Sequence, residues 1–79
     1  MDFVFRLEDG SFLHLEFQST VPDDLRRFLI YDVLLYQRDG CHIRTVVFYS
    51  NGITAADSCV DAGTVLHRLE NVFFVDYDG

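Results

Sequence analysis

Two carboxylates, Asp2 and Glu16, lie fourteen residues apart at the ends of a stretch that alternates apolar and polar side chains, residues 2–18. Asp9-Gly10 in its middle is a turn dipeptide, so the stretch reads as one amphipathic β-hairpin. Directly opposed residues of a hairpin have Cβ atoms about 4.5–5.5 Å apart and project from the same face. If the pairing sets Asp2 against Glu16, two like charges repel unless a cation lies between them. Hard divalent ions such as Mg²⁺ are held by one or two carboxylates together with water and substrate phosphates. The plainer alternative is a solvated sheet face whose acids simply spread into water.

The register decides whether the two acids meet. A two-residue turn at Asp9-Gly10 pairs Phe3 with Glu16 and leaves Asp2 on the far side. A three-residue loop of Glu8, Asp9 and Gly10, with Gly10 in the left-handed bulge position, shifts the pairing by one. Phe3, Phe5, Leu7, Leu13, Leu15 and Phe17 then share one face, and Asp2, Val4, Arg6, Phe12, His14, Glu16 and Gln18 share the other. Burying six large apolar side chains, at about 1.5–3 kcal/mol each, favours the three-residue loop. Asp2 is therefore expected opposite Glu16.

Further along, Gln18-Ser19-Thr20 is followed by Arg27 with Tyr31 four residues later, the run Tyr31-Asp32-Val33-Leu34-Leu35-Tyr36, and the apolar strand Val46-Val47-Phe48-Tyr49. Asp2 with Glu16-Phe17-Gln18, joined to these features, resembles the D…ExK/Q signature of the PD-(D/E)XK nuclease superfamily. The closer match is the recombination-promoting nuclease / putative transposase group, in which Gln often replaces Lys. The similarity spans residues 2–50.

This resemblance implies metal-assisted hydrolysis of a DNA phosphodiester. Asp2 and Glu16, with the Phe17 backbone carbonyl, would hold Mg²⁺ or Mn²⁺, which polarises the phosphate and lowers the pKa of a bound water. Gln18 would orient that water or a phosphate oxygen, stabilising developing charge less well than a Lys would. His14, two residues before Glu16, is either a base or a hydrogen-bonded neighbour of the acid. Arg27, Tyr31 and Arg38 share one helix flank. That flank is either a solvated edge with an Arg27–Tyr31 stack or a surface that grips DNA phosphates through forked Arg hydrogen bonds.

These residues must be positioned by a small scaffold. Seventy-nine residues make one domain, with 49% hydrophobic and 15% aromatic content and no sign of disorder. So small a unit is marginal alone, and a homo-oligomer is expected. No stretch is apolar enough to span a membrane or to act as a signal peptide, which points to the cytoplasm. Cys41 and Cys59 have no ligand-like spacing and read as free thiols. A net charge of −7 runs against a broad nucleic-acid surface and also fits a module that binds a basic protein.

The spacing predicts a helix over residues 22–38, with Pro22 in its first turn, Thr20 or Val21 as the cap, and Gly40 as the stop. Leu25, Phe28, Leu29, Val33, Leu35 and Tyr36 form the face that should lie on the sheet. Asp32 falls within it and needs a hydroxyl or an Arg as partner, or else serves as a third acidic ligand. Ile30 and Leu34 lie opposite, a candidate oligomer contact. Residues 42–50 read as a central strand and Asn51-Gly52 as a turn. Residues 53–62 read as a loop with one short extended piece, and 64–69 and 72–77 as a closing strand pair joined by Glu70-Asn71. The expected class is α+β: a mixed β-sheet with one crossing helix, in the order β-β-α-β-β-β. By the resemblance, this is a restriction-endonuclease-like core lacking its first helix.

Overall fold

The computed structural model describes residues 2–74, except for the Asp2 side chain. Its elements are β1 (Asp2–Arg6), β2 (Phe12–Gln18), α1 (Arg26–Asp39), β3 (Ile43–Tyr49), β4 (Cys59–Ala62), β5 (Val65–Arg68) and β6 (Glu70–Phe73). A four-stranded mixed sheet runs β1-β2-β3-β6, and β4 and β5 form a separate two-stranded sheet. β1 pairs antiparallel with β2, whereas β2–β3 and β3–β6 are parallel. Parallel neighbours need a crossover, which α1 supplies between β2 and β3. The class and the element order are those expected, with the short extended piece within 53–62 realised as β4.

The β1–β2 register is Asp2↔Glu16, Phe3↔Leu15, Val4↔His14, Phe5↔Leu13 and Arg6↔Phe12. Its loop is the three-residue one: Leu7 N–H donates to Ser11 O at 2.8 Å, and Gly10 N–H donates to Leu7 O at 2.9 Å. Gly10 has φ +87°, a conformation that costs Gly little. Asp9 Oδ1 accepts from both the backbone N–H and the hydroxyl of Ser11, which closes the turn from inside.

Burial is inverted relative to expectation. Phe3, Phe5, Leu7 and Phe17, on the wholly apolar face, stay about 40–48% exposed, while His14 and Glu16 on the mixed face are buried. α1 covers the polar side because its own Asp32 supplies an acceptor there, so buried donors are satisfied rather than stranded. The open face carries a row of rings, Phe5, Phe3, Phe17, Phe48 and Phe74, in successive contact.

α1 starts at Arg26, four residues later than expected, with Leu25 as its cap residue and no capping side-chain hydrogen bond, so neither Thr20 nor Val21 caps it. The reason is local. Asp24 Oδ1 accepts the Arg26 N–H at 2.9 Å, a turn that competes with helix. The helix ends as expected: Gly40 has φ +65°, and its N–H donates to Tyr36 O at 2.7 Å. Phe28, Asp32 and Leu35 are the buried positions; Val33 and Tyr36, expected against the sheet, are exposed along with Ile30 and Leu34. The apolar core is Phe28, Val47, Tyr49 and Leu69, flanked by Leu25, Ile53, Ala56 and Phe73.

The closing strand pair is also different. β5 pairs with β4, in the register Cys59↔Arg68 to Ala62↔Val65, and Glu70-Asn71 is strand rather than turn. β6 instead extends the main sheet, with Asn71↔Val47 and Phe73↔Tyr49, which lets Phe73 stack on Tyr49 at 5.5 Å. The end of the expected 72–77 strand lies outside the described residues.

Candidate active site

β2 presents His14, Glu16 and Gln18 toward α1, and the register sets Val4, Thr45 and Val47 beside them. Glu16 is 1% exposed. Gln18 Nε2–H donates to Glu16 Oε1 at 3.0 Å, and Arg27 Nη2 lies 3.6 Å from the same oxygen. His14 Nε2 faces the other oxygen at 3.3 Å. Arg27 approaches from the first turn of α1 with its side chain 56% exposed, so it joins the buried acid to solvent.

Asp32 is the centre of a second set of contacts. His14 Nδ1–H donates to its Oδ1 at 2.9 Å, and His67 Nε2–H donates to Oδ2 at 2.7 Å. Thr45 Oγ1–H donates to the same Oδ2. Burial alone would raise the Asp32 carboxyl, but the three donors outweigh it and hold the group below its ordinary value. A carboxylate only accepts, so His14 Nδ1 and His67 Nε2, which face Asp32, carry protons. Tyr31 stacks on His14 with ring centroids 4.5 Å apart and planes at 28°.

The register therefore brings Asp2 opposite Glu16, with its carboxylate outside the described residues. The ladder also orients Phe17. Phe12 N–H donates to His42 O, and Gln18 O accepts from Ser50 N–H, so even-numbered β2 residues bond toward β3. By alternation the Phe17 carbonyl turns to the β1 side, beside the Asp2–Glu16 pair. Arg27 and Tyr31 do reach the site. Arg38 does not: its Nε–H donates to Asp39 at 2.6 Å, eleven residues and roughly 16 Å further along the helix.

Asp32 takes the hydroxyl partner expected of it, Thr45, and two histidines that were not expected. No spacing signal links His67 to residue 32; a partner supplied by a separate hairpin is invisible to local periodicity. Among the described residues no group of three or more His, Cys, Asp or Glu side chains is arranged to hold a metal ion. Cys41 and Cys59 are free thiols, and no described helix is long and apolar enough to cross a membrane. Comparison of the chain with protein-family models, curated proteins and solved structures found no match.

Proposed function

We propose that this domain is a divalent-cation-dependent nuclease of the PD-(D/E)XK type, acting on DNA in the cytoplasm. The observation that supports this is the register that sets Asp2 opposite Glu16, with Gln18 and Arg27 at the same carboxylate. The residues that would hold a hard cation are Glu16 through its carboxylate, Phe17 through the carbonyl turned to the β1 side, and Asp2 at the adjoining register position. Bound Mg²⁺ or Mn²⁺ would supply Lewis-acid polarisation of the scissile phosphate and a more acidic water. Gln18 orients that water or a phosphate oxygen. Arg27, exposed and forked, engages phosphate, while Arg38 stays with Asp39. Against a net charge of −7, phosphate contact through Arg27 is salt-sensitive.

The test is Mn²⁺ calorimetry with plasmid nicking, on the wild type and on Glu16→Ala. Cation binding and nicking that both disappear in the variant sustain the reading. Nicking that survives Glu16→Ala, or a wild type that binds no cation, overturns it.

The uncovered row of phenyl rings supports a second reading, a non-catalytic homo-oligomeric module built on the same fold. That reading expects sedimentation as a stable assembly with no response to Mg²⁺. A folded monomer would count against it.

A further inference from the structure

The contacts around Asp32 exceed what holding one helix on a sheet requires. Its two oxygens collect donors from β2, β3 and β5, while Asp32 itself rides on α1. Four elements therefore meet at one carboxylate. What they fix is the His14 ring. Asp32 holds Nδ1, Tyr31 covers one face, and the opposite nitrogen faces Glu16 Oε2. With that oxygen faced by a ring held from two sides, Oε1 is left toward Gln18 and Arg27. Glu16 Oε2 thus stands 3.3 Å from a ring that is anchored by a residue eighteen positions from His14 in the chain.

We propose that Asp32 is a positioning residue of the cation site, acting through His14 on Glu16. His67 is its second anchor and links the β4–β5 hairpin to the site. The proposal rests on the nuclease reading above. It extends the site to Asp32 and His67 and assigns the small hairpin a role in it. Partners that orient a ligating group change metal affinity or activity by about 10–100-fold when removed.

The experiment is Mn²⁺ calorimetry on the full chain, at a temperature where circular dichroism shows each protein folded. The variants are Asp32→Asn, His67→Ala, His67→Gln and Leu35→Ala. Asp32→Asn and His67→Ala should each weaken Mn²⁺ binding about 10–100-fold. His67→Gln should recover most of the loss, because its amide N–H can stand near the position of Nε2–H. Leu35→Ala removes buried volume from the same helix without touching the carboxylate, and should bind Mn²⁺ as the wild type does. His67 is partly exposed, so its variants keep the test open if Asp32→Asn does not fold.

If the wild type binds Mn²⁺ and both Asp32→Asn and His67→Ala stay within about twofold of it, the positioning role is overturned and the nuclease reading stands. Leu35→Ala weakening binding to the same degree would also overturn it, by showing that stability alone is sensed. A wild type that binds no Mn²⁺ removes the nuclease reading, and this inference with it.

Discussion

His14 and Asp32, one on a strand and one on a helix, share a buried hydrogen bond of 2.9 Å. A charge held in that way makes stability depend on pH. The folded Asp32 carboxyl sits below its unfolded value of 3.8, so its contribution is complete above that pH. It is lost as pH falls through the folded value.

Asp32→Asn should cost about 1.5–3 kcal/mol at pH 7, the worth of hydrogen bonds to a charged group. The gap to the wild type should narrow below about pH 4, since protonation removes the same charge. Urea midpoints measured from pH 7 to pH 3 check both. Parallel curves throughout would show that the Asp32 carboxyl titrates alike in the folded and unfolded chain, and so is not held down by its donors.

Gly10→Ala should destabilise the domain by about 1–2 kcal/mol, because φ +87° is strained for an L side chain. No atom lies within 4 Å of the added Cβ, so the loss is purely one of backbone conformation. Gly10→Asn should lose less, since Asn tolerates left-handed φ. Equal losses in denaturant titrations would locate the cost elsewhere.

Arg27→Ala should lower the dependence of log K on log salt for DNA binding by about one, the signature of a lost phosphate contact. Arg38→Ala should leave the slope as it is, because that guanidinium is already spent on Asp39. Fluorescence anisotropy across a salt series separates the two.

Tyr49 is fully buried, and its hydroxyl has no hydrogen-bond partner among the described residues. Burial, with Asp57 nearby, pushes its phenol up. An unsatisfied buried hydroxyl costs about 1–3 kcal/mol, so Tyr49→Phe should be neutral or stabilising. A clear fall in melting temperature would mean that the hydroxyl is bonded in solution.

The hairpin register was legible because six apolar residues at alternate positions have only one consistent pairing. Which face the helix would cover was not legible. Phe3, Phe5, Leu13 and Leu15 advertise a core, yet α1 settles on His14 and Glu16, where Asp32 accepts from His14 and Arg27 approaches the Glu16 carboxylate. Alternation records which side chains share a face; it does not record what is laid upon that face. Arg38 shares a helical flank with Arg27, but length along the axis, which a wheel projects away, separates the two. Asn71 looked like a turn residue, yet its amide donates to the Ala56 and Asp57 carbonyls and ties β6 to the preceding loop.

Among the described residues β1 is hydrogen-bonded along one side only, as the first strand in the order β1-β2-β3-β6. Its outer row of N–H and C=O groups is a template onto which a further strand can be zipped. Such a strand would run past the residue that faces Glu16. Lengthening the sheet and flanking the Asp2–Glu16 register position would then be a single event.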